Sequence, residues 1–191
     1  MNIKYSIMKK LGILCSLLIL FAINSYSQSD STGLQMPVSE KTSLISYQEV
    51  IQEEGTRRDL FNRAQEWLHQ FFANPVYITK KRDAASGVIK GNHQIEITFI
   101  DDEGYKKIGG LVMYSFQIEC KDKRYRYTIT DFQLKKTSKY PLEKWLDKSN
   151  INYNPQWEKY LEQVDNFARN EFGKSLKEAM KPREVIEEEE W

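Results

Sequence analysis

The chain of 191 residues carries 28 basic and 27 acidic side chains and only two histidines. This near balance lacks the strongly basic footprint of a typical nucleic-acid binder. Two cysteines exclude a dense disulfide framework, so packing must hold the core together.

The N-terminus has the pattern of an export signal. Met1–Lys10 contains Lys4, Lys9 and Lys10 with no acid, and Leu11–Ile23 is apolar or small throughout. Ser25 and Ser27 then offer small residues for cleavage, so residues 1–27 are expected to be a secretory signal peptide with an apolar stretch too short to span a bilayer. Cys15 is not set up for acylation, because Leu14 precedes it and apolar sequence continues beyond it. Cleavage before Gln28 removes three lysines and Cys15, leaving 25 basic against 27 acidic side chains and Cys120 as the lone thiol. The expectation is an exported protein, periplasmic or associated with the cell envelope, without a transmembrane segment after cleavage.

Residues 28–43 are polar and include Gly33 and Pro37, the composition of a flexible lead-in to a single domain over 44–182. Leu44–Ile51 alternates weakly and predicts a first strand, broken at Gly55. Thr56 with Asp59 three residues on forms a capping box. Leu60, Phe61, Ala64, Trp67, Leu68, Phe71 and Phe72 then follow at helical spacing until Asn74-Pro75. Val76–Lys81 and Gly87–Lys90 predict short extended pieces. Ile95, Ile97 and Phe99 alternate with polar residues as a half-buried strand, and Asp101–Gly104 makes a turn. That acidic turn lacks the spacing of a calcium loop, and Gly109-Gly110 leads into a strand, so no phosphate loop is expected.

Val112–Cys120 and Arg124–Phe132 predict a hairpin. With a two-residue turn at Asp122-Lys123, Cys120 faces Tyr125, Ile118 faces Tyr127 and Phe116 faces Ile129. Glu119 with Arg126 and Gln117 with Thr128 fall on the other face. Tyrosines and arginines of the "RYRYTITDF" strand are thereby separated, whereas a base-stacking surface needs both together. A short helix is expected over Pro141–Asp147. A long helix opens at Asn154-Pro155, with Trp157, Leu161, Val164, Ala168, Phe172, Leu176 and Ala179 as its apolar stripe. Residues 183–191 form an acidic tail.

The expected fold is α+β, an antiparallel sheet of about five strands in the order β-α-β-β-β-β-α. Both amphipathic helices cover one face and leave the other open. The segments "RRDLFNRAQEWLHQFF", "ASGVIKGN" and "KDKRYRYTITDF" together resemble the bacterial domain-of-unknown-function family numbered 4468, described as having a TBP-like fold. The resemblance spans roughly Ser46–Leu134. It implies that fold and an exported bacterial setting, and brings no catalytic residues with it. TATA-binding protein uses the open face of such a sheet on DNA, but fold analogy does not confer function.

Candidate binding residues on the open face are Arg126, Thr128, Thr130, Gln117, Glu119 and Glu96, a surface of mixed charge. Asp131 shares parity with the buried tyrosines; a bulge after Thr130 would rotate it outward and turn Phe132 in. His69 falls on the polar side of the first helix. His93 lacks a second ligand at metal spacing, so neither a metal nor another cofactor is expected. Cys120 lies on the buried parity. The leading functional expectation is a non-enzymatic module binding a protein, peptide or glycan of the envelope through its open sheet face. The alternative is an envelope hydrolase using Glu96 and Glu119 as a carboxylate pair. Nucleic-acid binding through the sheet ranks last.

Overall fold

The computed structural model describes residues 34–183. The expected signal peptide and almost all of the acidic tail lie outside that range. The elements are β1 (Ser46–Gln52), α1 (Arg57–Phe71), a single turn α2 (Pro75–Ile78), β2 (Thr79–Asp83), β3 (Val88–Ile100), β4 (Lys106–Lys121), β5 (Arg124–Leu134) and a short β6 (Tyr140–Pro141). A 3-10 turn at Leu142–Trp145 follows, where a short helix is expected. The C-terminal helix consists of α3 (Gln156–Asn166), a wider π-helical stretch Phe167–Gly173, and α4 (Lys174–Ala179). Among the described residues, no helix is long and apolar enough to cross a membrane.

The sheet is antiparallel in the order β1-β5-β4-β3-β2, with β6 also on β5. The hairpin register is the expected one: Cys120 faces Tyr125, Ile118 faces Tyr127, Phe116 faces Ile129 and Glu119 faces Arg126. Its tip also organises the start of α1. Thr56 and Asp59 cap each other reciprocally, while Asp122 Oδ1 accepts from the Arg57 N–H at 2.7 Å and the Lys123 N–H donates to the Gly55 carbonyl at 2.9 Å. The first N–H groups of a helix have no internal partners, so these contacts fix where α1 begins.

α1 and the C-terminal helix bury their stripes on one face of the sheet. The Trp67 and Phe172 rings join the helices at 4.8 Å between centroids. Phe72 stacks on Phe116 at 5.6 Å, and Phe172 reaches Phe116 at 5.7 Å. No described residue with a polar or charged side chain is fully buried, tyrosines aside.

Three expectations need correction. Val76–Lys81 is not one extended piece. Pro75 pre-sets a helical φ, and the Thr79 hydroxyl donates to the Pro75 carbonyl at 2.7 Å, closing a single turn before β2. The extended pieces around Gly87–Lys90 and Ile95–Phe99 are one strand, β3, carried through Asn92 and His93. Residues 34–43, expected as the end of a flexible lead-in, instead run against the domain. Met36 is 9% exposed and sits beside the Tyr47 hydroxyl, while Val38 bridges Ile45. A thioether is apolar enough to fill the gap beside a buried tyrosine.

A bulge does occur after Thr130. Ser115 pairs with Thr130 and Met113 with Gln133, so Asp131 and Phe132 together oppose Tyr114. Asp131 takes φ 59°, the left-handed conformation that glycine supplies in a G1 bulge and that Asp adopts more readily than most residues. Phe132 is fully buried, and the Asp131 carboxylate points to the polar side, bonded by Gln133 and Ser115.

Candidate open-face site

Side chains alternate across a strand, so the residues between the core positions of four adjacent strands share the uncovered face. Register then decides which of them meet. Gln48 of β1 lies opposite Thr128 of β5, which lies opposite Gln117 of β4, which lies opposite Lys90 of β3. These four, with Ser115, Glu119, Arg126 and Thr130, line a concavity of about 460 Å³ that also takes in Lys80 of β2. Of the six expected binding residues, Arg126, Thr128, Thr130, Gln117 and Glu119 are therefore neighbours.

Glu96 is not among them. It lines a separate groove beside α3 with Lys159, Glu162 and Gln163, at the edge of β3. Glu96 pairs with Leu111, so it lies roughly 26 Å from Glu119 along β4 at about 3.3 Å per residue. Carboxylate pairs that hydrolyse glycosides stand at most about 9.5 Å apart. The Glu96–Glu119 pair cannot act on one bond, and the hydrolase reading built on it falls.

Arg126 and Glu119 form an ion pair, with Arg126 Nε donating to Glu119 Oε2 at 2.7 Å. The Thr128 hydroxyl donates to Gln48 Oε1 at 3.3 Å and the Thr130 hydroxyl to the Ile45 carbonyl at 2.9 Å. A smaller pocket of about 220 Å³ adjoins through Glu119 and Arg126 and adds Lys121, Arg124 and Val50. Together the two depressions present Lys80, Lys90, Lys121, Arg124 and Arg126 against the single carboxylate of Glu119. The face is cationic rather than evenly mixed. Lys90 joins this face because β3 is one continuous strand, in which the parity of Gln94 and Glu96 carries back through Asn92. Arg124 shares parity with Arg126, but Lys80 depends on a bulge in β2 that leaves no signal in the sequence. Phe116 and Tyr125 approach this face only from beneath, with their rings in the core, so it has no stacking platform.

Other reactive groups are accounted for locally. Burial pushes the Cys120 thiol up to about 12, which leaves almost no thiolate at neutral pH. Asp101 accepts from the backbone N–H groups of Glu103 and Tyr105 at 3.1 and 2.8 Å, so its carboxylate shapes the turn. Among the described residues, no three histidine, cysteine or acidic side chains converge on a metal-sized space. His69 is exposed on α1.

His93 lies within β3, half-buried, its ring 5.0 Å from that of Phe72. Burial lowers its pKa below the ordinary 6.5, because an imidazolium is poorly solvated there. The sign follows from linkage. Above about pH 7 neither state binds the proton. As pH falls through about 6.5, the unfolded chain takes it up first and the folded state loses stability, levelling below the folded pKa. We expect the melting temperature of wild type to drop more than that of His93→Gln between pH 7.5 and 5.0. Parallel profiles would remove His93 from the acid response.

The solved structures it resembles share this architecture. A TBP-like protein from Parabacteroides distasonis aligns over 78% of this chain and 99% of its own at 16% identity, with a TM-score of 0.60. A DUF4468 family protein from Bacteroides ovatus aligns over 83% of this chain and 99% of its own at 17% identity, with a TM-score of 0.63. At these identities the likeness establishes the fold alone. No curated protein matches the chain. Residues 47–135, the stretch from β1 through β5, match the family model of the domain of unknown function with TBP-like fold, DUF4468.

Proposed function

We propose that the protein is an exported, non-enzymatic binding module that holds an acidic protein, peptide or glycan of the cell envelope against the open face of its sheet. The observation that carries this reading is the concavity itself. Five cations and one carboxylate converge with Gln48, Gln117, Thr128 and Thr130 on a surface that no helix among the described residues covers. A rigid sheet fixes the spacing of these groups, so a ligand meets donors already held in position. The export signal read in residues 1–27 favours an envelope ligand over an intracellular one.

Labelled poly-L-glutamate and polygalacturonate serve as probes of the two chemistries, with duplex DNA as the competing polyanion. Lys90→Glu combined with Arg124→Glu reverses charge at two solvent-facing positions outside the core. We expect at least one acidic probe to bind and the double variant to weaken it about tenfold or more, equivalent to about 1.4 kcal/mol. Equal binding by the variant would dismiss the face as the site. A clear preference for DNA, with a steep loss of affinity on adding salt, would replace this reading with nucleic-acid binding.

A further inference from the structure

A sheet edge left unpaired presents N–H and C=O groups to any chain that can lie alongside, and native proteins usually blunt such edges. Among the described residues, two stretches of this sheet's edge are blunted. Beyond its pairing with β2, the outer edge of β3 is occupied by a side chain. Gln163 Nε2 donates to the Thr98 carbonyl and Gln163 Oε1 accepts from the Thr98 N–H, both at 2.9 Å, as a neighbouring strand would. The outer strand β2 has five residues, carries Lys80-Lys81-Arg82, and breaks register between Thr79 and Lys81.

The edge of β1 has neither device. Its register with β5 runs without a bulge from Ser46 to Gln52, and the strand contains no proline or lysine. The Ser46 N–H points away from β5, donating to the Pro37 carbonyl at 2.8 Å. Backbone groups face the same side at every second residue, so those of Gln48 and Val50 also point outward. Among the described residues, neither has a backbone partner there. The Val50 side chain beside them is 55% exposed.

Both flanks of this edge are basic. On the helix side a groove of about 610 Å³ runs between β1 and the C-terminal helix, bordered by Lys174 and Lys177, with Arg169 beside them already paired with Asp165 at 2.8 Å. Its carboxylate, Glu49, is already bonded by Lys177 at 3.0 Å and by the Tyr127 hydroxyl at 2.8 Å. Burial pushes the Glu49 carboxyl up, but these two bonds outweigh it and hold it below its ordinary value. Lys174 has no ion-pair partner among the described residues. On the open-face side, Lys121 and Arg124 stand beside Val50. A strand added here sends alternate side chains to each flank, and acidic residues suit both.

We propose that the outer edge of β1 is a second binding surface, which takes an extended acidic segment of a partner protein as an added strand. Main-chain bonds to Gln48 and Val50 supply the pairing, and the flanking cations select acidic sequence. This surface borders the open-face depressions and shares Lys121 and Arg124 with them, but its main-chain pairing is read at the Gln48 and Val50 amides, so either reading can fail alone.

The test follows amide hydrogen exchange at Gln48 and Val50 while the full chain is titrated with a Glu-Glu-Val-Val-Glu-Glu-Val-Val octapeptide, which sets glutamates on both flanks. We expect the peptide to slow exchange at both amides about tenfold or more, equivalent to about 1.4 kcal/mol of protection. Val50→Pro removes an outward N–H and no bond to β5, a position where a strand tolerates proline. It should abolish the protection while leaving the melting temperature within a few degrees, and Lys174→Glu should weaken it. A Lys-Val octapeptide should give none. Unprotected amides at saturating peptide would overturn the proposal, as would equal protection by the Lys-Val peptide. Protection that rises with protein concentration alone, together with a dimer mass, would assign the edge to a second copy and overturn it equally.

Discussion

Phe172→Ala should lower the unfolding free energy by roughly 3–5 kcal/mol, the range for removing a buried phenylalanine ring. Phe172 is fully buried and joins every layer of the core. Its ring lies 4.8 Å from that of Trp67 and 5.8 Å from that of Phe71 on α1. On the sheet side it lies 5.7 Å from Phe116 of β4 and 6.2 Å from Tyr127 of β5. Truncation leaves a void bounded by aromatic rings held from three elements, and such a site collapses poorly. The check is urea denaturation with the slope unchanged and the midpoint lowered. A loss under about 1 kcal/mol would mean that the cluster repacks around the gap.

Gly91→Ala is expected to have the next largest effect. A Cβ at Gly91 would lie 2.4 Å from a Phe116 ring carbon and 2.7 Å from the Ile78 carbonyl oxygen. Phe116 cannot swing aside, because Phe72 stacks on it with planes 15° apart, and the carbonyl belongs to the α2 turn. Overpacking of this kind costs about 1–3 kcal/mol, here with added strain on the pairing of Thr79 with Gly91. Phe116→Leu in the same chain should return part of the loss. The coupling between the two changes in a double-mutant cycle should be at least about 0.5 kcal/mol. Strict additivity would show that Phe116 is not what makes glycine necessary.

The sheet was more legible in the sequence than the helix that covers it. The β4–β5 register followed from a two-residue turn and a period of two, because a slip of one residue would have exposed Phe116, Ile118 and the tyrosines. An ordinary helical period over the C-terminal helix misses its π-helical stretch. Val164, Ala168, Phe172, Leu176 and Met180 are all fully buried at a constant spacing of four. In a regular α-helix each such step drifts by roughly 40°, about 160° over the series. The wider stretch Phe167–Gly173 takes up part of that drift and keeps the stripe on the sheet. It also sets Gly173 against the Tyr127 hydroxyl, where a Cβ would stand only 2.7 Å from the oxygen.

The candidate site was legible where it depended on one hairpin and illegible where it depended on strands meeting from afar. Glu119, Arg126, Gln117 and Thr128 lie on adjacent strands joined by a short turn. Glu96 shares their parity but not their position along the strand, and alternation reports only the first. The basic character of the face required Lys80, Lys90 and Arg124 to be placed beside them, which needed the bulge in β2 and the continuity of β3. Asp131 followed a general rule of sheets, since an inward carboxylate without a partner is costly and a bulge removes it.

Photocrosslinking in the native cell, with the probe residue at Thr128 and a control at the exposed His69 on α1, tests the account most directly. A discrete adduct from Thr128 that is absent from His69 is the result expected of a binding face, and mass spectrometry of that adduct identifies the ligand. Identical adducts from both positions, or none from Thr128, would contradict the claim that the open face of the sheet is where this protein binds.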